Sequence, residues 1–155
     1  MINVTIPGCG DFVVRNLVLD LNGTLTLDGE IIPGVEGRIR DLAGKLPIHL
    51  LTADTLGRAA GISHDLPVTL QIVPEKDQVR AKGEYLSGLP PGSAAIGNGR
   101  NDAIMLKMAA LGIAVVGPEG ASYEAICNAD VVVTDINDAL DLLIYPDRLK
   151  ATLRR

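Results

Sequence analysis

The sequence predicts an α/β fold, a three-layer sandwich with a mainly parallel sheet of about six strands and helices on both faces. Two observations carry this. Short β-prone apolar runs alternate with segments of helical period, the pattern of βα units on a sheet covered on both sides. The chain also has 155 residues, 47% hydrophobic and 21% charged, enough for one sizeable core and unlike the composition of a disordered chain. We read one domain, residues 1–155, with an N-terminal hairpin over 1–15 and a core over 16–155.

The hairpin comes first. Ile2 to Ile6 and Phe12 to Val14 flank Pro7-Gly8-Cys9-Gly10, a turn-rich tetrapeptide between two β-prone runs. The strands of the main sheet are expected at Leu17 to Leu19, Ile48 to Leu51, Val68 to Val73, Ala94 to Ile96, Ile113 to Val116 and Val131 to Val133. Between the first two, Val35, Ile39, Leu42 and Leu46 recur at helical spacing after Gly34, one apolar stripe of a crossover helix. Further helices are expected at Thr55 to His64, Glu75 to Leu89, Asn101 to Leu111, Ala121 to Asn128 and Ile136 to Leu153.

Fourteen basic against nineteen acidic residues leave a net charge of −5, which argues against nucleic acid or an anionic membrane as partner. No apolar run approaches the ~20 residues of a membrane helix, and the amino terminus lacks the form of a secretory signal. Cys9 and Cys127 have no metal-site or disulfide-framework spacing, so a reducing cytoplasm is expected. Cys127, beside Ile126, reads as core and Cys9 as exposed. His49, inside an apolar strand, and His64 read as structural, and Tyr85 and Tyr123 as isolated aromatics.

In open parallel sheets ligands bind beyond the carboxyl ends of the strands, so the residues that follow each apolar run matter. Asp20-Leu21-Asn22-Gly23-Thr24-Leu25-Thr26 follows the first, Thr52-Ala53-Asp54 the second, and Gly97-Asn98-Gly99-Arg100-Asn101-Asp102 the fourth. A carboxylate at a buried strand end, followed by a Gly-Thr turn whose N–H groups can face inward, suits attack on phosphorus. Asp20 is the candidate nucleophile, with Gly23 and Thr24 as phosphate binders. Thr52 and Ala53 stand where donors would meet phosphoryl oxygens. Lys82 shares a helical stripe with Val79 and Leu86, which carries an ammonium inward; Lys76 is its rival. Asn98 and Asp102 offer hard oxygens to Mg2+, with Asp20 and the Asn22 carbonyl completing the shell. Asp54 reads as a helix cap, and Asp102 also suits a helix's first turn.

In this order the residues resemble the haloacid dehalogenase-like superfamily, and most closely its soluble P-type-ATPase-like branch, from Leu17 to about Asp141. Asp20 to Thr26 matches the P-type phosphorylation loop Asp-Lys-Thr-Gly-Thr-Leu-Thr at five of seven places. Thr52-Ala53-Asp54 is similar to Thr-Gly-Asp, Lys82 to Leu86 to the lysine segment, and Gly97 to Leu106 to Gly-Asp-Gly-x-Asn-Asp-Ala-x-x-Leu. The resemblance implies a Rossmann-like fold, Mg2+ as cofactor and a phosphatase or phosphotransferase acting through an aspartyl phosphate on Asp20. The substrate would be a phosphorylated small molecule or macromolecule.

Two departures bear on activity. Phosphatases of the superfamily place an acid/base aspartate where Asn22 stands, and an amide cannot exchange that proton, a loss of ~10²–10⁴ in rate. Asn98 stands where relatives have a metal-binding aspartate, which weakens the Mg2+ site. Both substitutions favour a rival reading, a catalytically degraded domain that binds phosphate, metal or a protein partner. Only thirty-one residues separate Asp20 from Thr52, so no cap domain and no nucleotide-binding domain fits between them. The open site argues against ATP pumping and for at most a weak ATPase. Capless relatives often close their sites with a neighbouring subunit, and the apolar hairpin is the candidate surface for a homo-oligomer.

Overall fold

A computed structural model describes residues 1–54 and 57–155. The hairpin forms as expected: β1 (Ile2–Ile6) and β2 (Gly10–Val14) pair antiparallel from Ile2 opposite Val14 to Ile6 opposite Gly10. Its apolar side chains turn inward. Ile2, Val4, Ile6 and Val14 join the same buried core as the main sheet.

The main sheet has six parallel strands: β3 (Asn16–Asp20), β6 (Ile48–Thr52), β7 (Thr69–Ile72), β8 (Ser93–Gly97), β9 (Leu111–Val115) and β10 (Val131–Val133), in the order β10-β9-β8-β3-β6-β7. β3 lies centrally with every residue buried. Its alternation divides the core, since Leu17 and Leu19 face one layer while Val18 faces the other. Helices α1 (Val35–Ala43) and α6 (Ile136–Ile144) pack together on the first face. Helices α3 (Gln78–Ser87), α4 (Ala103–Met108) and α5 (Tyr123–Asn128) pack in sequence with one another, and their Leu86, Met105, Leu106 and Ala125 meet Val18 in the second core. α2 (Ala59–Asp65) lies beside β7. Because the chain moves outward from β3 in both directions, the sheet has its topological switch beside Asp20, where such folds hold ligands.

Several expectations change. The helix expected over Ile136 to Leu153 is two, α6 and α7 (Pro146–Leu153). Pro146 lacks an N–H and drives Tyr145 out of helical conformation, to φ −119° and ψ 75°. The helix expected over Asn101 to Leu111 is a 3-10 turn at Arg100–Asp102 followed by the short α4, and β9 already begins at Leu111. Gly112 makes that possible, because a Cβ there would collide with the Leu106 carbonyl. The start expected for α2 at Thr55 lies outside the described residues. A second small hairpin, β4 (Thr26–Leu27) and β5 (Glu30–Ile31), turns through Asp28 and Gly29, both at positive φ. Cys127 is exposed, a correction to its reading as core, and Cys9 is exposed as expected. Tyr85 is not isolated. Its hydroxyl lies 3.0 Å from His49 Nδ1, with the rings edge-on, and burial lowers the His49 pKa.

Asp141 of α6 ties three helices. Both its oxygens meet Arg38 of α1, at 2.8 and 3.2 Å, and Oδ2 also meets Arg148 of α7 at 3.2 Å. The Arg38 hydrogen bond holds the Asp141 carboxyl below its usual value. Its stabilisation is therefore present above the ordinary carboxylate range and lost as pH falls through the lowered native value. Asp141→Asn is expected to lower unfolding free energy at pH 7 by about 1–3 kcal/mol and by much less near pH 3. Urea melts at the two pH values check this.

Candidate active site

β3 delivers Asp20 to the carboxyl edge of the sheet, between the ends of β6 and β8. The residue is 5% exposed. Its Oδ1 accepts from Lys82 Nζ at 2.5 Å and its Oδ2 from Thr24 Oγ1 at 3.1 Å. Lys82, fully buried on the inner face of α3, also donates to Asp102 Oδ1 at 2.6 Å. The other Asp102 oxygen accepts from the backbone N–H groups of Asn98 and Gly99, at 3.1 and 2.9 Å. Gly97 allows this tuck, since a Cβ there would stand 2.5 Å from Asp102 Oδ2. Lys76 is exposed.

Two carboxylates thus share one ammonium away from water. Burial pushes the Asp20 carboxyl up to about 7, the Asp102 charge adds to the rise, and Lys82 and Thr24 oppose it. For Lys82, burial acts downward, but the charges of Asp20 and Asp102 outweigh it and hold the ammonium above its usual value.

Above the triad opens a recess of about 310 Å³ lined by Asp20, Asn22, Thr52, Ala53 and Asn98, together with Gln78, Gly99, Asn101 and Glu119. Thr52 Oγ1 accepts from the Asp54 N–H at 3.0 Å, which leaves its own proton free to be donated. Asp54 Oδ1 accepts from the N–H of Ala59, the first residue of α2, at 2.8 Å, although Arg58 and not Asp54 precedes that helix. Asn98 Nδ2 donates to the Gly120 carbonyl at 3.1 Å, so its Oδ1 is turned to the Thr24 side, 3.2 Å from that hydroxyl.

Two expected roles change with geometry. Gly23 and Thr24 do not line the recess through inward N–H groups. The Gly23 N–H donates to the Thr26 carbonyl at 3.0 Å and the Thr24 N–H to the Leu21 carbonyl at 3.3 Å, which closes the turn; both residues border a separate, mainly apolar cavity of about 370 Å³. Asp102 is not among the residues that line the recess: one oxygen accepts from Lys82 and the other from the Asn98 and Gly99 N–H groups, so it holds Lys82 and the Asn98 loop.

The remaining donors fit a magnesium ion in kind. They are one carboxylate of Asp20 and the amide oxygen of Asn98, in a recess that Asn22 also lines. No group of three His, Cys, Asp or Glu side chains among the described residues is placed to hold a metal. Mg2+ keeps several of its waters and needs few protein ligands, all oxygen.

The sequence did not single out Glu119. It sits on the Gly117–Gly120 turn that follows β9, where the Gly120 N–H donates to the Gly117 carbonyl at 2.8 Å. Position after a strand end, the signal that marks Asp20, also applies to it. Gln78 and Asn101, joined at 2.7 Å, also line the recess.

No family model matches the chain. An uncharacterized protein of Methanocaldococcus jannaschii is 62% identical over 60 residues, 39% of this chain and 64% of that protein. A second uncharacterized protein of that organism is 46% identical over 39 residues, 25% of this chain and 89% of its own length. Among solved structures, the cobalt-bound deoxy-D-mannose-octulosonate 8-phosphate phosphatase of Haemophilus influenzae superposes with TM-score 0.71 at 13% identity, covering 92% of this chain and 94% of that one. Apo phosphoserine phosphatase gives 0.67 at 16%, over 86% and 99%. A zinc-transporting PIB-type ATPase in its E2.Pi state gives 0.60 at 28%, over 79% of this chain and 20% of the transporter. The fold is the haloacid dehalogenase-like fold, seen in phosphatases and in a P-type ATPase. No helix among the described residues is long and apolar enough to cross a membrane.

Proposed function

We propose that this haloacid dehalogenase-like chain is a Mg2+-dependent phosphatase or phosphotransferase that forms an aspartyl phosphate on Asp20. The observation that carries the reading is the Asp20 carboxylate, held between Lys82 and Thr24 and opening onto a recess walled by Thr52 and Asn98. In this reading Asp20 attacks phosphorus, and the Thr52 hydroxyl donates to a phosphoryl oxygen as its charge shifts. Lys82 offsets the negative charge that gathers around Asp20, while Asp102 positions Lys82. Asp20, the Asn22 carbonyl and Asn98 would hold Mg2+. When bound, the ion supplies positive charge against the phosphoryl oxygens.

Asn22 lies in the recess wall without a proton to exchange, so hydrolysis of the intermediate is the slow half of the reaction. The substrate is a phosphomonoester or phosphoanhydride met in a reducing cytoplasm. The open recess supports no clamp for adenine.

Incubation with Mg2+ and labelled acetyl phosphate should leave an acid-stable, hydroxylamine-labile label on Asp20. No label on a protein that still binds fluoroaluminate would favour the phosphate-binding reading, for which the amides at 22 and 98 speak. Asn22→Asp is expected to speed loss of the label, measured by chase with unlabelled donor. Asn22-Gly23 and Asn98-Gly99 are deamidation-prone pairs, so intact mass and peptide mapping of the same preparation belong with that assay.

A further inference from the structure

We propose that Glu119 is the base that activates water for hydrolysis of the aspartyl phosphate, in place of the acid/base group that Asn22 cannot be. This rests on the aspartyl-phosphate reading and adds to it the residue that completes the turnover.

Three observations point to Glu119. It lines the recess together with Asp20 and Asn22. The carboxylate is laid over the phosphorylation loop at Gly23, the residue next to Asn22: a Cβ on Gly23 would collide with Glu119 Oε2 and stand 2.9 Å from Asn98 Nδ2. Gly23, at φ +76°, thus leaves the space that Glu119 fills. Finally, Glu119 makes no hydrogen bond or ion pair with any described residue, whereas Asp20 and Asp102 are both committed to Lys82. It is the carboxylate of this recess with its oxygens uncommitted, and its exposure allows a proton to pass on to solvent.

The step balances without a further reactant. Water oxygen attacks phosphorus as Glu119 takes one water proton. The bond between phosphorus and the Asp20 oxygen breaks, and its electron pair returns to the Asp20 carboxylate. Hydrogen phosphate leaves, and Glu119 releases its proton to solvent. Formation of the intermediate from an acyl phosphate needs no proton from Glu119, because carboxylate is a good leaving group. The two halves of the reaction therefore respond differently to its loss.

The test follows wild type, Glu119→Gln, Asn22→Asp and the double variant through labelling by acetyl phosphate with Mg2+ and through decay of the label. Glu119→Gln should melt as wild type does, form label at the wild-type rate and lose it ~10²-fold or more slowly. Asn22→Asp should restore decay in the Glu119→Gln background, and should make the Glu119→Gln change nearly silent, the non-additivity of two groups that do one job. Decay of Glu119→Gln at the wild-type rate would overturn the proposal. So would a parallel fall in formation and decay, a higher Mg2+ requirement in that variant, or failure of the aspartate to rescue. Absence of label in the wild type would instead remove the aspartyl phosphate itself, so the two failures are told apart in one experiment.

Discussion

Asp20→Asn is expected to abolish phosphoryl labelling and, at the same time, to raise the melting temperature of the protein in EDTA. The loss of label follows from removing the nucleophile. The gain in stability follows from the triad beneath the recess, where Asp20 and Asp102 crowd one buried ammonium. Asp20 has a native pKa of about 7 against an ordinary 3.8, so the folded chain holds that proton more tightly than the unfolded one. Its contribution to stability is complete below the ordinary value and is lost as pH rises through about 7. An amide at that position has nothing to lose. The advantage of the variant should therefore open between about pH 4 and 7 and level off above, at a value on the order of 1–4 kcal/mol. Denaturant melts of both proteins across that range decide it. A variant no more stable than wild type at pH 8 would mean that the site carries its second carboxylate without penalty.

Lys82→Met should have the opposite effect on stability. The thioether fills much of the same space, yet both Asp20 and Asp102 are left buried without a counter-charge. Removing one partner of a buried ion pair costs about 3–5 kcal/mol, a large share of the roughly 5–15 kcal/mol that holds a domain together. The variant should be strongly destabilised at pH 8, less so near pH 5 where a carboxyl can take up a proton, and without label at either. Circular dichroism melts at the two pH values provide the check.

The parts of this architecture that were legible in the sequence share one physical origin. Strands buried on both faces are continuous apolar runs, and Val131–Val133 falls where its run lies. Asp20, Thr52 and Asn98 share one recess because each ends or follows such a run, and the parallel sheet brings run ends to one edge. What escaped depends on neighbours distant in the chain. Asp102 looks, from its place in a helix's first turn, as suited to a cation as to a dipole; only its enclosure by Lys82 and two backbone N–H groups separates those uses. The N–H groups of Gly23 and Thr24 look available until the turn closes on Leu21 and Thr26. Glu119 sits in a Gly-Pro-Glu-Gly turn without period, and its place at the recess depends on contact with Gly23, in a loop far earlier in the chain. Pro146 was the exception, since the local rule that breaks the last helix there could have been applied to the sequence directly.

The hairpin at the beginning of the chain is clasped by its end. α7 packs on β1, the Arg155 N–H donates to the Pro7 carbonyl at 3.1 Å, and Cys9 Sγ lies 3.2 Å from the Leu153 carbonyl. The hairpin is therefore covered by a helix far from it in the sequence, and its apolar side stays uncovered until α7 has formed and docked. A stalled or truncated nascent chain would present Val4 and Ile6 to its surroundings, and these would be natural recognition points for a chaperone or a quality-control protease.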